Sequence, residues 1–151
     1  MTKIIFVCFG NICRSPMAEF VMKNLVARAG LEKNFLIESA GCHPSVGTPI
    51  SGGSAGELRK NNVPFTWRTS KLLLDSDYER FDYLIGLDRS NVRDMKEICG
   101  GDIDKKIFLL MDFAGEHRDV DDPWYTGRYD IAYRDILIGC AALIDFFKGD
   151  N

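Results

Sequence analysis

The stretch that most constrains this chain is its start. Residues 3–8 (KIIFVC) carry a continuous apolar run of strand length. A run without polar alternation reads as a strand covered on both faces, the kind that parallel sheets contain. A short loop follows, and Ser15-Pro16 then reads as a helix start, with Ser15 as N-cap and Pro16 at the first helical position. Met17, Phe20, Val21 and Leu25 give this helix an apolar stripe, and Gly30 is a stop signal.

The same alternation continues. Residues 34–39 (NFLIES) read as a second strand, 41–53 as a Gly/Ser/Pro-rich loop and 54–61 as a short helix. Residues 82–87 (DYLIGL) are a third strand, 90–98 a helix closed by Gly100-Gly101, and 106–111 (KIFLLM) a fourth strand. A polar loop spans 112–127. The last helix covers 129–148, with Tyr133, Leu137, Cys140, Ala141, Ile144 and Phe147 on one face. Alternating strands and helices imply right-handed crossovers, so the expected fold is α/β: one domain, residues 1–151, with a four-stranded parallel sheet and helices on both faces. In such sheets ligands bind outside the carboxyl ends of the strands. Cys8, Ser39 and Asp88 fall there, as do Asp119, Asp121 and Asp122 after the fourth strand.

Composition narrows the class. With 46% hydrophobic and 27% charged residues the chain is an ordinary globular protein, and 151 residues bury a core without staples. A net charge of −3 with scattered Lys and Arg argues against nucleic acid. No apolar run reaches membrane-spanning length, and the N-terminal run stops after Cys8 with no cleavage pattern behind it. Five cysteines without a disulfide framework fit the reducing cytosol. His43 and His117 are the only histidines and have no zinc spacing with the cysteines, so no metal is expected. No nucleotide-binding Gly-Lys-Ser/Thr loop is present, and no cofactor is expected.

Chemistry concentrates in the segment Cys8-Phe9-Gly10-Asn11-Ile12-Cys13-Arg14-Ser15. A loop of this length between a strand and a helix start curls so that its N–H groups converge. Gly10 and Asn11 tolerate left-handed backbone angles, and the helix start adds unpaired N–H groups and partial positive charge. This is a nest for a phosphate dianion. Arg14 supplies a permanently charged, bidentate clamp. Cys8 lies beneath the phosphate, and the groups that hold the dianion also favour the reactive thiolate over the thiol. The Ser15 hydroxyl is placed to hydrogen-bond that sulfur. Taken singly, a cysteine at a strand end is usually core and an arginine at a helix start is usually solvated. Their joint occurrence with correct flanks carries the functional reading.

An acid is sought in Asp119-Val120-Asp121-Asp122-Pro123-Trp124-Tyr125. Pro123 biases Asp122 toward an extended backbone and stiffens it. A carboxylate neighbour and partial burial favour its protonated form. Asp121 is the runner-up, and a solvated acidic loop is the bland alternative. Trp124 and Tyr125 form an aromatic wall or pack on the sheet edge.

The run CFGNICRSPMAEF resembles the active-site signature of the low-molecular-weight protein tyrosine phosphatases, and the likeness extends over essentially the whole chain, including the late Asp-Pro-aromatic motif. It implies a phosphotyrosine phosphatase I-like fold and metal-free hydrolysis of phosphotyrosine or a small aryl phosphate, releasing inorganic phosphate. By the same resemblance Cys8 is the nucleophile, Arg14 the clamp and Asp122 the general acid. Phe9, Gly10, Asn11, Ile12, Cys13 and Ser15 form the phosphate loop, and Ser39 supports Asn11. Cys13 matches a loop cysteine that forms a reversible disulfide with the nucleophile. A monomer, or a weak dimer, is expected in the cytoplasm.

Two positions depart from that pattern: residues 41–47 lack a wall Trp or Tyr, leaving His43, and Trp67 stands roughly where many relatives carry a histidine. Three rivals remain. An arsenate reductase of this fold needs a closely spaced cysteine relay, and Cys42, Cys99 and Cys140 are far apart in sequence. A protein arginine phosphatase tends to carry Thr where Ile12 stands. An inactive phosphate-binding module would lack a nucleophile or an acid. Cys140 reads as core and Cys99 as structural; Cys42 follows Ser39 toward the pocket.

Overall fold

The apolar run becomes β1 (Thr2–Cys8), and its neighbours follow from its two greasy faces. In this computed structural model, which describes residues 1–149, β1 lies inside a four-stranded sheet of order β2-β1-β3-β4. The other strands are β2 (Phe35–Gly41), β3 (Tyr83–Gly86) and β4 (Ile107–Leu109), and every pairing is parallel. Asp150 and Asn151, the tail of the expected domain, lie outside the described residues.

Successive β1 side chains enter opposite cores. Ile4, Phe6 and Cys8 share a cluster with Met17 and Val21 of α1 (Arg14–Arg28) and with Ile136, Cys140 and Leu143 of α6 (Tyr129–Gly149). Ile5 and Val7 join Leu84, Phe81 and Met95 on the other face, covered by α3 (Asp77–Arg80) and α4 (Arg89–Ile98). Ile4, Ile5 and Phe6 are fully buried, each stabilising the fold by about 1.5–3 kcal/mol. The short α2 (Gly52–Lys60) packs beside α1 and α6.

Several boundaries differ from the sequence reading. β2 runs two residues past Ser39, to Gly41. The fourth strand ends at Leu109, because Leu110 and Met111 turn inward through a 3₁₀ segment (Leu110–Ala114). Gly139 of α6 makes room there: a Cβ on it would lie 2.6 Å from Leu110 Cγ. On α6 the buried stripe runs through Ile136 and Leu143, while Leu137 is 37% exposed. The run ILIGCAAL is apolar nearly all round, so its pattern did not single out the face. The loop of residues 112–127 is not wholly irregular: besides the 3₁₀ turn it contains α5 (Pro123–Thr126). The unexpected α3 is only four residues long, held by the buried Asp77, whose Oδ2 accepts from Leu74 N at 2.9 Å. Among the described residues no helix is long and apolar enough to cross a membrane.

The chain builds β2 on one side of β1, then crosses to build β3 and β4 on the other. That reversal opens a crevice at the carboxyl end of β1, where Cys8 sits.

Candidate active site

Behind Cys8 the chain curls back over its own strand. Asn11 takes a left-handed conformation (φ 56°), and its N–H donates to Cys8 Sγ at 3.3 Å. Gly10, expected to share that conformation, does not. The curl rests on Gly41, where a Cβ would lie 2.8 Å from Phe9 O and 3.1 Å from Asn11 N. Ser15 Oγ lies 2.9 Å from the sulfur. Ser15 is not the N-cap: α1 begins at Arg14 with Cys13 in the cap position and no side-chain cap. The Ser15 hydroxyl is turned inward instead, accepting from Asn11 Nδ2 at 2.8 Å.

Asn11 is fully buried, and each of its polar groups has a partner. Its Nδ2 also donates to Ser39 Oγ at 3.0 Å. Ser39 in turn donates to Glu19 Oε1 at 2.6 Å, and Lys23 holds Oε2 at 2.6 Å. Asn11 Oδ1 accepts from Lys71 N at 3.1 Å. Arg68 Nη2 donates both to Oδ1 at 2.5 Å and to the Asn11 carbonyl at 2.7 Å. The sequence reading missed Arg68 and Lys71. They come from 57 and 60 residues away, and no local pattern marks them. Trp67, considered for that region, is 80% exposed.

Arg14 is 2% exposed, and three acceptors fix it. Nη1 donates to Asp88 Oδ2 at 2.7 Å and Val120 O at 2.8 Å; Nη2 reaches Asp122 Oδ2 at 3.4 Å. Burial pulls the guanidinium pKa down, but the Cys8 sulfur, Asp88 and Asp122 outweigh it and the net direction is up. Asp88 does double duty. Its Oδ1 accepts from Asn91 N at 2.7 Å while Asn91 Oδ1 accepts from Asp88 N at 3.0 Å, a capping box on α4.

Asp122 is extended (φ −77°, ψ 112°), as Pro123 requires, and caps α5 by accepting from Trp124 N at 3.0 Å. Its charged neighbour is Arg14 rather than the expected carboxylate. Asp121 is exposed, and Asp119 pairs with Arg89 at 3.0 Å.

These groups meet in a cleft of about 220 Å³. Cys8, Gly10, Ile12, Cys13, Arg14 and Asp122 line it. Trp124 and Tyr125, 65% and 84% exposed, also line it. So do Phe9 and His43, their rings 5.0 Å apart, with His43 Nε2 3.3 Å from Asp94. Asn11, Ser15 and Ser39 lie behind the loop and do not line the cleft. Cys13 Sγ donates to Ser51 Oγ at 3.4 Å and lies 3.8 Å from Tyr129 Oη; burial pushes this thiol up. Among the described residues no group of three or more His, Cys, Asp or Glu side chains is arranged to hold a metal ion.

A buried sulfur, a fixed guanidinium and a carboxylate thus meet at the switch point of a parallel sheet in an α/β protein, an arrangement suited to holding an oxyanion. Residues 3–145 match the model of the low molecular weight phosphotyrosine protein phosphatase family. The chain belongs to that family. It is 34% identical to the low molecular weight protein-tyrosine-phosphatase YfkJ of Bacillus subtilis over 147 residues, 95% of this chain and 94% of that one. It is 36% identical to PtpA of Staphylococcus aureus (strain MRSA252) over 152 residues, 99% of this chain and 96% of the relative. The crystal structure of YfkJ superposes with a TM-score of 0.96 at 32% identity, covering 100% of this chain and 97% of that one. The arginine phosphatase YwlE superposes with 0.88 at 28% identity, covering 99% and 98%.

Proposed function

We propose that this protein is a protein tyrosine phosphatase that works through a cysteinyl-phosphate, with Cys8 as nucleophile, Arg14 as clamp and Asp122 as general acid and base. The observation that carries this is the placement of the Cys8 sulfur between Ser15 Oγ and the Asn11 amide, in the same cleft as Arg14 and Asp122. Asp88 and Val120 hold Nη1, which leaves Nε and Nη2, the latter shared at 3.4 Å with Asp122, as the donors for phosphoryl oxygens.

In the first step Cys8 Sγ forms a bond to phosphorus as the phosphorus–phenol oxygen bond breaks, and Asp122 gives its proton to the departing oxygen. In the second, water attacks phosphorus and passes a proton to Asp122. The sulfur–phosphorus bond breaks, inorganic phosphate leaves, and Ser15 turns its one proton toward the returning thiolate. The chemistry needs no cofactor. A cleft lined by Phe9, Trp124 and Tyr125 together with the buried Cys8 (3% exposed) favours a flat aryl phosphate over the shorter phosphoserine. Trp124 and Tyr125 form the aryl wall, and Ile12 presents an apolar side chain to the ring. The substrates are phosphotyrosine proteins or small aryl phosphates, handled by a monomer in the cytoplasm, where Cys8 and Cys13 stay reduced or pair reversibly.

The test is a side-by-side assay on phosphotyrosine, phosphoserine and phosphoarginine peptides with chelator present and arsenate reduction as a control. Phosphotyrosine turnover is expected, and Cys8→Ser abolishes it while phosphate-analogue binding persists. Normal activity in that variant refutes the assignment. The likeness to YwlE makes phosphoarginine the competing substrate, and preferential hydrolysis of that peptide overturns tyrosine specificity.

A further inference from the structure

We propose that Arg68 is a positioning residue for the reaction, acting through Asn11 to hold the phosphate loop in its working shape and to keep the Cys8 sulfur anionic. The inference rests on the reading of Cys8 as nucleophile.

Asn11 is the pivot of the loop. A non-glycine residue in the left-handed region persists only where its surroundings over-determine it. Here the surroundings include five donors and acceptors. The side chain has one orientation in which Nδ2 faces the hydroxyls of Ser15 and Ser39 and Oδ1 faces the Lys71 amide. The main-chain carbonyl is the part that Lys71, Ser15 and Ser39 leave unheld. Arg68 Nη2 alone bridges that carbonyl and Oδ1, tying backbone and side chain of the same residue together. That bridge pins the peptide plane between Asn11 and Ile12. Through Oδ1 it also fixes the side-chain amide, and with it the Nδ2 that holds the Ser15 hydroxyl beside the sulfur, on the residue whose N–H makes the other contact to Sγ.

Stability alone does not account for this arginine. Its Nη1 is buried with no hydrogen-bond partner among the described residues, an arrangement that costs desolvation without return. Burial pulls the Arg68 guanidinium pKa down, and the attraction of Glu19, which is itself engaged by Lys23 and Ser39, and of the Cys8 sulfur offsets only part of that fall. A cation held behind the loop favours the thiolate in front of it, and a donor on Asn11 Oδ1 polarises the side-chain amide, which strengthens the Nδ2 bond that sets the Ser15 hydroxyl beside the sulfur.

A lysine retains the charge but, having no planar fork, does not reproduce a fixed bridge to two oxygens of one residue. The experiment therefore compares wild type, Arg68→Lys, Arg68→Ala and Cys8→Ser. It measures kcat and KM on an aryl phosphate and the pH profile of iodoacetate alkylation at Cys8, followed by peptide mass mapping. Circular dichroism verifies folding, and Arg68→Lys serves as the folded variant should Arg68→Ala not fold. The expected result is a fall in kcat of at least tenfold in Arg68→Ala, with slower alkylation at pH 6 and a profile displaced to higher pH. Arg68→Lys recovers the profile more than it recovers kcat. Activity within twofold of wild type in both variants overturns the inference. So does a loss of activity with an unmoved alkylation profile, which would make Arg68 structural only. Both results leave the nucleophile assignment standing, because that fails separately, through a Cys8→Ser variant that still turns over.

Discussion

Asp88→Asn separates the two duties of one carboxylate. Oδ1 caps α4, and an asparagine caps a helix about as well as an aspartate. With its amide oxygen committed to the Asn91 N–H, the variant turns its NH₂ toward Arg14 Nη1, and two donors face each other where an ion pair stood. The Arg14 and Asp88 side chains are only 3% and 15% exposed. Breaking a buried pair by removing one partner costs about 3–5 kcal/mol. Val120 O and Asp122 still serve the guanidinium, so the lower end, about 3 kcal/mol, applies. For a chain of this size that is a fall in Tm of roughly 6–12 °C. Asp88→Ala loses the cap as well and drops by about 1 kcal/mol more. Urea unfolding followed by circular dichroism in phosphate-free buffer measures both. An Asn variant within about 1 kcal/mol of wild type, or an Ala variant no worse than Asn, refutes this division of labour.

Asp122→Ala is expected to lower kcat by roughly 10²–10⁴ and to remove one limb of its pH profile; an intact profile transfers the acid role elsewhere. Gly41→Ala places a Cβ against backbone atoms that cannot rotate away, so the loop must shift. Misplacement of that kind costs up to about 10²-fold in rate, and kcat/KM is expected to drop at least tenfold in a protein that still folds. Burial pushes the Cys42 thiol up to about 12, with Asp94 and Cys8 adding to the rise. The folded state therefore holds that proton after the unfolded chain has released it, and the contribution is present below pH ~8.5 and lost as pH rises toward the folded value. At pH 10 this thiol alone lowers stability by about 2 kcal/mol relative to pH 8, and urea titrations at both values show a correspondingly smaller drop for Cys42→Ala.

What the chain discloses before folding depends on how far its information travels along the sequence. The doubly buried run of β1, the Cys8-to-Ser15 loop and the Pro123 constraint on Asp122 are local, and all appear where their spacing places them. The partners that make the loop rigid are not local. Arg68, Lys71 and Val120 reach it across 57, 60 and 106 residues, through two backbone groups and one guanidinium that no motif advertises. Gly41 was legible only as loop-forming, whereas its role is to let another segment approach. Ser15 shows the opposite error. A Ser-Pro pair normally marks a cap, but a buried sulfur competed for the hydroxyl and won. The face of α6 was ambiguous because apolar residues surround it, and tertiary packing against Leu110 decided it.

The guanidinium of residue 14 waits for acceptors that lie 106 and 108 positions downstream. During synthesis the loop that carries Cys8 is therefore made well before the groups that hold its arginine. A chain cut short before Val120 has Cys8 and its loop but neither the carbonyl nor the carboxylate that Arg14 meets there. The anchoring of Arg14 thus reports that synthesis has passed residue 122.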